Sequence, residues 1–418
     1  MGIVLYWLAI RLYLLVLRIA ALFHPKAKLF VNGRKGLLQQ IKYALINERR
    51  PRIWMHCASL GEFEQGRPVL EQMRKDYPQF AFVLTFFSPS GYEVRKNYEG
   101  ADYVFYLPAD SARNARLFLD YIQPRLCLFV KYDFWYYFLS ATRKQGIPLL
   151  LVSAIFRADQ GFFKWYGRLQ RSMLFAFTHI FVQNAASQRL LQKIGYDAVT
   201  VSGDTRFDRV VEALQQPVKE LPKIHAFCDR YKVLVAGSTW PDDERLLHKA
   251  FARLPENWKL ILVPHEVHKS HIDDLAKRWG DTAAKWSDET DWTAKRVVII
   301  DTVGLLLQLY RNGDIAWIGG GFGKAGVHNV LEPAVYGMPC LYGPVYQQFL
   351  EATALIECGG GFEIETSEQL VNCILYWESE PAAYKNAAKA AAQYVKENAG
   401  ATQKIMNYLV AKNCISMV

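Results

Sequence analysis

Short apolar segments recur along the chain, and a stretch with helical spacing follows each of them. Segments that are apolar throughout are typical of strands buried on both faces of a parallel sheet, with helices as connections. The pattern therefore predicts an α/β protein with two doubly wound halves, in which ligands bind beyond the carboxyl ends of the strands. The predicted strands are residues 53–59, 80–87, 103–107, 126–131, 148–153, 179–183 and 199–203 in the first half, and 232–237, 259–264, 296–301, 314–319 and 339–342 in the second.

The domain boundaries are predicted from changes in this pattern. A polar segment with two prolines at 212–222 is the best candidate for a linker. It separates an N-terminal Rossmann-like domain at 26–211 from a C-terminal one at 223–385. Residues 386–418 are predicted to form C-terminal helices that can pack back on the N-terminal domain, and residues 1–25 form a separate apolar helix.

The N-terminal segment Ile3–Phe23 is predicted to be a membrane anchor. It is apolar except for Arg11 and Arg18, and as a helix its 21 residues reach about 31 Å, enough to cross a bilayer core. It lacks the charged start and the cleavage site of a signal peptide. Two placements fit the pattern, one crossing the membrane once and one lying in the interface with both arginines at the headgroups. A buried helix of a soluble core is a third reading.

Composition and charge support this reading of the N-terminus. The chain has 418 residues, 51% apolar and 22% charged, which excludes a disordered, collagen-like or coiled-coil protein. Nearly all of the net charge of +10 lies in residues 1–52, which hold ten basic residues and one acid. Basic residues directly after an apolar helix attract anionic lipid and place the rest of the chain on the cytoplasmic side. Since the excess of basic residues is not spread over a folded face, nucleic-acid binding is not expected.

Seven cysteines without a CxxC pair indicate a reducing compartment.

The strongest motif is the glycine-rich segment at 313–344. A predicted strand ends in three glycines, 319–321, and Asn329 is predicted to cap a following helix that carries Glu332 and ends near Gly337. Glycines allow the backbone to approach a phosphate, and a helix N-terminus offers free N–H groups to it. Glu332 is placed to accept hydrogen bonds from ribose hydroxyls. The segment is neither a GxGxxG fingerprint nor a Walker loop, and a purely structural turn is the alternative.

Two other strand ends carry candidate catalytic groups. Glu62 follows the first strand at the start of a helix, where it can act as a general base, or alternatively only stabilise the helix terminus. His56 is interpreted as strand packing. Arg206 follows a later strand in GDTRFD, where it can stabilise a leaving phosphate, or be an ordinary surface arginine. The histidines in PHEVHKSH do not have the spacing of a metal site, and no metal is expected.

These motifs, in this order, resemble those of the 3-deoxy-D-manno-octulosonate (Kdo) transferases of lipopolysaccharide (lipid A–core) synthesis. The resemblance extends from the N-terminal segment to about residue 355 and rests on ASLGE, TFFSPSG, YLPAD, DFW, GDTRFD, AGST, LVPH, DTVG and GGG…HNVLEPA…GP. It implies a GT-B fold with two Rossmann-like domains around a cleft. It also implies an inverting glycosyltransferase without a tightly bound cofactor, which moves Kdo from CMP-Kdo to the lipid A precursor at the cytoplasmic face of the inner membrane.

The resemblance also implies catalytic roles. Glu62 falls on the family's proposed general base, and Arg206 falls where the family usually has a lysine credited with stabilising the transition state. Lys131 stands where the family often has a glutamate, so its charge is inverted. Either Asp133 takes the role of that glutamate, or the donor is held differently here.

The donor site is implied in the same way. A CMP-contacting Pro-Arg of the family is replaced by a Pro-His pair, and a CMP-contacting turn that often ends in Glu ends in Leu. The family's Asn-to-Glu segment is matched at both polar ends. The candidate donor-binding residues are Pro264, His265, Val303, Gly304, Leu305, Gly320, Gly321, Asn329, Val330, Leu331 and Glu332.

Two other functions compete with this one. A different membrane-associated GT-B enzyme that uses a UDP-sugar shares the fold, the anchor and the glycine-rich loop, and nucleotide preference separates the two. The second is a non-enzymatic, membrane-anchored nucleotide or lipid binder, which turnover excludes.

Overall fold

A computed structural model describes residues 2–215, 221–289 and 291–414. The chain forms two compact units, and each of them contains one seven-stranded sheet in which all pairings are parallel. Unit 1 comprises the residues up to Asp208 and those from Ala399 onward, and unit 2 comprises Arg209–Asn398. The predicted α/β class with doubly wound parallel sheets is confirmed.

Unit 1 has the strand order β3-β2-β1-β4-β5-β6-β7. Its strands are β1 (Arg52–Cys57), β2 (Ala81–Phe86), β3 (Tyr103–Tyr106), β4 (Pro124–Val130), β5 (Leu149–Ala154), β6 (His179–Val182) and β7 (Val199–Val201). Its helices are α1 (Gly2–Ala20), α2 (Pro25–Asn32), α3 (Leu37–Leu45), α4 (Leu60–Asp76), α5 (Pro89–Arg95), α6 (Ala112–Ile122), α7 (Tyr136–Lys144), α8 (Arg168–Leu174), α9 (Ala185–Lys193) and α10 (Thr205–Gln215), which continues into unit 2.

The sheet of unit 1 has a hydrophobic core on each face. In β1, Trp54 belongs to one cluster while Ile53 and Met55 belong to the other, because successive side chains of a strand point to opposite faces. All residues of β2 and β5 are buried. This two-sided burial is the physical reason why the strands appear in the sequence as continuous apolar segments rather than as alternating ones.

Unit 2 has the strand order β10-β11-β9-β8-β12-β13-β14. Its strands are β8 (Lys232–Thr239), β9 (Trp258–Pro264), β10 (Ala283–Lys285), β11 (Val297–Ile299), β12 (Ile315–Ile318), β13 (Cys340–Tyr342) and β14 (Gly361–Glu363). Its helices are α11 (Pro222–Cys228), α12 (Pro241–Phe251), α13 (Lys269–Trp279), α14 (Leu306–Leu309), α15 (Leu331–Ala334), α16 (Leu350–Glu357), α17 (Ser367–Ser379) and α18 (Pro381–Asn398).

The last helix, α19 (Ala401–Ala411), belongs to unit 1 and packs on α4. Ile405, Met406 and Leu409 are buried in the cluster that holds Met55. The carboxylate of Asp208 accepts hydrogen bonds from the backbone N–H groups of Gly400 and Thr402 at the start of this helix. Unit 1 is therefore built from two separate stretches of the chain.

Three of the differences from the sequence prediction concern the linker, the C-terminal helices and the N-terminal helix. The proposed linker at 212–222 is helical at its start, because α10 continues to Gln215, and α11 begins at Pro222; residues 216–220 lie outside the described part. The chain enters unit 2 within α10 and returns after Asn398, whereas the sequence placed the start of the C-terminal helices at 386. The N-terminal helix ends at Ala20 rather than at 23.

Candidate active site

Catalytic candidates in unit 1 lie at the point where the strand order reverses. β1 and β4 are neighbours in the sheet but not in sequence, and the loops at their carboxyl ends carry Glu62, Lys131 and Asp133. In doubly wound sheets this reversal opens a crevice for ligands. The topology therefore brings the predicted acid–base residues to one edge of the sheet.

Glu62 lies in the first turn of α4 and caps the N-terminus of that helix. Its Oε2 accepts hydrogen bonds from the backbone N–H groups of Ala58 at 2.6 Å and Ser59 at 3.2 Å, which forms a capping box with Ser59 as the N-cap. The alternative role as a helix-terminus residue is thus real for one carboxylate oxygen. The described hydrogen bonds of the carboxylate all use Oε2, so capping and acceptance of a proton at Oε1 are compatible.

The surroundings of Glu62 make it a base near neutral pH. Burial and then the negative charge of Asp133 raise its pKa to about 7, while the backbone N–H of Ala58 and the positive charge of Lys131 act in the opposite direction. A carboxyl group with this pKa can take a proton and release it again at physiological pH. The positive charge of Lys131 therefore lowers the pKa of the candidate base.

Asp133 is held by a buried hydrogen-bond chain. Its Oδ2 lies 2.6 Å from Nε2 of His56, and Nδ1 of His56 lies 2.9 Å from Oγ1 of Thr85, which also accepts from the indole of Trp54 at 2.8 Å. His56 is fully buried. The interpretation of His56 as strand packing is therefore incomplete, because its ring also fixes the position of an acidic group beside Glu62.

Lys131 lies in a backbone conformation that side chains rarely adopt. Its φ is +65°, in the left-handed region, and its N–H donates to the carbonyl of Val152 at 3.0 Å. Strained residues of this kind are concentrated at functional sites, where the surrounding structure imposes the conformation. This left-handed conformation turns the backbone after the end of β4 and leads it into the segment that carries Asp133.

Arg206 lies in the first turn of α10 and forms an ion pair. Its Nε and Nη2 donate to Oδ2 of Asp204 at 2.9 and 2.7 Å, and its backbone N–H donates to Oδ1. The neighbouring Thr205 is bound to the carbonyl of Gln65 and to Ser153, which ties this turn to α4 and to the end of β5. Arg206 is thus rigidly placed at the same edge of the sheet, with part of its charge compensated.

In unit 2 the strand order reverses between β8 and β12, and a buried carboxylate joins the two strand ends. Oδ2 of Asp243 accepts from the backbone N–H groups of Trp240 at 2.8 Å and Gly320 at 3.0 Å, and Oδ1 accepts from the indole of Trp317. Burial raises the pKa of Asp243 to about 6, against these hydrogen bonds. Asp243 therefore holds the glycine-rich loop in place; sequence analysis missed it, because its partners are up to 77 residues away.

Three aromatic rings stack beside the glycine-rich loop. The ring of His265 lies 4.7 Å from that of Trp240 and 4.4 Å from that of His328, both nearly parallel to it. The indole N–H of Trp240 donates to Nε2 of His328 at 2.9 Å, and burial lowers the pKa of His328 to about 4. His328 is therefore neutral, with its proton on Nδ1. Three stacked rings therefore occupy the place where the family resemblance implied an arginine.

The Asn-to-Glu segment is folded, but less helical than predicted. The side chain of Asn329 accepts from the N–H of Leu331 at 3.1 Å and donates to Glu332 at 3.0 Å. The expected helix up to Gly337 is wrong: α15 is a single turn, Leu331–Ala334, because Gly337, at a φ of +73°, and Pro339 lead the chain directly into β13. A helix dipole therefore contributes little here.

The other predicted donor residues lie at the same edge of the sheet of unit 2. Pro264 ends β9, and Gly304, with a φ of +90°, forms the turn before α14. Val303 is 76% exposed, whereas Val330 and Leu331 are fully buried. A ligand at this edge can contact Val330 and Leu331 only through their backbone.

Within the described residues, no group of three or more histidines, cysteines or acidic residues could hold a metal ion. The seven cysteines form no disulfide in that part of the chain.

The sequence of this chain is similar to those of known proteins. A family model described as 3-deoxy-D-manno-octulosonic-acid transferase (kdotransferase) matches residues 32–209. The 3-deoxy-D-manno-octulosonic acid transferase of Haemophilus influenzae is 25% identical over 374 residues, which are 85% of this chain and 86% of that protein. The protein of the same name from Chlamydia trachomatis is 26% identical over 405 residues, or 92% and 93% of the two chains.

Solved structures show the same fold at lower identity. The UDP-N-acetylglucosamine 2-epimerase of Neisseria meningitidis bound to UDP-GlcNAc has a TM-score of 0.61 at 15% identity, covering 86% of this chain and all of that one. A glycosyltransferase from Rickettsia africae has a TM-score of 0.53 at 13% identity, with 88% and 100% covered. These likenesses identify a GT-B-like fold. The family model and the relatives show that this chain is similar to the 3-deoxy-D-manno-octulosonic acid transferases, which are glycosyltransferases of lipopolysaccharide synthesis.

Proposed function

We propose that this protein transfers Kdo from CMP-Kdo to a glucosamine hydroxyl of the lipid A precursor, with inversion at the anomeric carbon. The observation that carries the proposal is the position of Glu62, at the strand reversal of unit 1 with a pKa raised to about 7. Similarity to the Kdo transferases supports Kdo as the transferred sugar. The nature of the acceptor and of the nucleotide rests on the family resemblance.

In the proposed reaction Glu62 removes the proton of the acceptor hydroxyl. The oxygen attacks the anomeric carbon of Kdo, a new C–O bond forms, and the bond between that carbon and the CMP phosphate oxygen breaks. The leaving CMP carries the negative charge, which Lys131 and Arg206 offset. Asp133 keeps the pKa of Glu62 high enough for proton transfer near pH 7.

The donor is proposed to bind at the carboxyl edge of the sheet in unit 2. The backbone N–H of Gly321 approaches the phosphate, whereas the N–H of Gly320 is bound to Asp243 and holds the loop in position. Glu332 accepts hydrogen bonds from the ribose. The turn at 303–305 and the backbone of Val330 and Leu331 supply the remaining contacts. Pro264 and the exposed ring of His265, supported by the stack behind it, form a surface against which the cytosine can lie.

The location is proposed to be the cytoplasmic face of the inner membrane. Among the described residues, one helix, Gly2–Ala20, is long and apolar enough to cross a membrane, and none of its residues is fully buried. The basic residues at 24–52 support binding to anionic lipid. The lipid acceptor would then be reached without leaving the bilayer.

The test is a transfer assay with CMP-Kdo, regenerated during the reaction, and tetraacylated lipid A precursor, followed by mass spectrometry. The unaltered protein is expected to add the mass of one or more Kdo units. Glu62→Gln is expected to lose at least 100-fold in rate and to bind CMP as before, because only the proton acceptor is removed.

Glu64→Gln is the matched control. Glu64 lies on the same helix but pairs with Arg95 at 2.8 Å, so its loss should leave the transfer rate within a few-fold. Equal rates for Glu62→Gln and the unaltered protein would exclude Glu62 as the base. Failure of transfer together with binding of UDP instead of CMP would replace the proposed donor by a UDP-sugar.

A further inference from the structure

The N-terminal helix α1 has two distinct faces. Its half-buried residues recur every three or four positions and therefore form a single stripe that faces the rest of unit 1. These residues are Tyr6, Ile10, Leu14, Leu17 and Ala20. A helix surrounded by lipid on all sides would have no such stripe.

The stripe is attached to unit 1 by a buried polar contact. The hydroxyl of Tyr6 donates to Oδ2 of Asp110 at 2.6 Å and accepts from the backbone N–H of Tyr136 at 3.2 Å. Asp110 is only 3% exposed and also accepts from the N–H groups of Tyr137 and Phe138 at the start of α7. Tyr6 thus completes a network that caps another helix.

Contacts extend along the whole helix. At its first residue, a Cβ built on Gly2 would lie 3.6 Å from the Cβ of Leu169 in α8. Further along, the ring of Tyr13 packs on Phe30 and Phe87 at 6.4 Å between ring centroids. Residues 2 and 13 are separated by about 16 Å of helix at ~1.5 Å per residue. A helix perpendicular to a membrane cannot contact one globular unit at both of these levels.

The opposite face of α1 is apolar and open. Its residues are each at least half exposed and follow one another on a single side: Leu5, Leu8, Leu12, Leu15, Val16 and Ile19. Arg11 and Arg18 lie about a quarter turn from the centre of this side, at ~100° per residue. An apolar face bordered by arginines is the arrangement of a helix that lies in a membrane interface, with its cations at the headgroups.

A second exposed group lies near the start of α1. Trp165 is 90% and Tyr166 is 59% exposed, and both precede α8, the helix that contacts Gly2. Their loop is fixed by Arg171, whose Nη1 donates to the carbonyls of Phe162 and Lys164. Tryptophan and tyrosine are the residues that favour the membrane–water interface. The loop is therefore a rigid support for two interfacial side chains.

We infer that α1 does not cross the bilayer but lies flat in the interface of an anionic membrane, clamped to unit 1 by Tyr6, and that the loop with Trp165 and Tyr166 is a second contact with the same surface. The inference rests on the membrane association proposed above. It adds the orientation of the helix and a second membrane-binding element.

A cross-linking experiment tests the orientation. Gly2→Cys and Leu169→Cys are combined in the full-length protein, and membranes containing it are oxidised. The Cβ separation of 3.6 Å is within the range of disulfides, about 3.5–4.5 Å, so the linked peptide is expected by mass spectrometry in membrane-bound protein. Leu5→Cys with Leu169→Cys is the control pair, which should not link because Leu5 lies on the open face.

The outcomes separate the inference from the proposed membrane association. A linked peptide in detergent that disappears in membranes, or no linked peptide in either, would overturn the flat orientation, even where the protein remains membrane-bound. For the second contact, Trp165→Ala is compared with Trp286→Ala in sedimentation with vesicles that contain phosphatidylglycerol. A loss of vesicle binding of several-fold is expected only for Trp165→Ala, and equal binding of both variants would remove the loop from the surface.

Discussion

At the scale of single residues, the candidate base is controlled by charges that act against one another. Asp133 raises and Lys131 lowers the pKa of Glu62, which burial alone has already moved upward. The two charged neighbours therefore set the pH at which the acceptor hydroxyl can be deprotonated. Lys131, at a position where the family resemblance implies that a glutamate is frequent, opposes this upward shift.

This balance predicts opposite pH shifts for two variants. The transfer rate of the unaltered protein should rise as Glu62 ionises, with a midpoint near pH 7. Asp133→Asn removes a negative charge and should move the midpoint to lower pH, whereas Lys131→Met removes a positive charge and should move it to higher pH. The measurement is the pH dependence of kcat/KM, and shifts in the same direction would contradict the electrostatic account.

Ionisation of Glu62 has opposite effects on the two properties: as the pH rises, it is expected to increase the transfer rate and to decrease folding stability. Because its pKa in the folded protein is above the ordinary value of 4.5, the folded state binds its proton more tightly than the unfolded state. Its contribution to stability is thus fully present below about pH 4.5 and is lost as the pH rises to about 7. The surroundings that raise the pKa of Glu62 therefore reduce folding stability at neutral pH.

At the scale of elements, the position of α19 shows how the end of the chain completes the first unit. Ile405 is fully buried in a cluster formed mainly by β1, β2, β4 and α4, and Asp208 binds the first N–H groups of the helix. The helix thus covers one face of a sheet whose strands precede it by about 200 to 350 residues in the sequence. Its loss would expose that face.

Substitutions in this helix should therefore destabilise unit 1. Ile405→Ala is expected to lower the free energy of unfolding by about 2–5 kcal/mol, because it removes buried methyl groups and leaves a cavity. Val410→Ala, at a position that is 69% exposed on the same helix, should change it by less than about 0.5 kcal/mol. Denaturant unfolding monitored by fluorescence measures both, and similar values would mean that α19 does not pack as described.

Elements of this kind differ in how well the sequence predicts them. All twelve predicted strands exist, because each coincides with a mostly apolar run in the sequence. β10 (AAK) and β14 (GFE) were missed because neither contains a continuous run of large apolar residues. Glu62 and the glycine-rich loop were predicted as site residues from their positions at strand ends. Asp243 and the Tyr6–Asp110 pair were not, since no local pattern encodes hydrogen bonds between residues about 80 to 100 positions apart.

At the scale of the whole molecule, each unit has its own sheet and its own core. The proposed donor residues all belong to unit 2, and the proposed base belongs to unit 1. A nucleotide without its sugar should therefore stabilise the second unit independently of Glu62. Stability then reports donor binding separately from catalysis.

Addition of CMP is expected to raise the thermal unfolding midpoint, with a gain of about 2.7 kcal/mol at a concentration of 100 Kd. Glu332→Ala should weaken CMP binding most. Asp243→Asn should also weaken it, by about tenfold, because the amide cannot accept from all three N–H donors and the glycine-rich loop loses its support. Calorimetry measures the affinities, and unchanged binding in both variants would show that the donor site lies elsewhere.

The contact between Tyr6 and Asp110 also sets an order of events during synthesis. The helix leaves the ribosome first, whereas its partner follows 104 residues later, a delay of roughly 5–20 s at bacterial rates of elongation. During this interval the half-buried stripe of α1 has no protein surface to pack on. If α1 binds the membrane as proposed above, we expect the rest of unit 1 to fold around a helix that is already at the membrane.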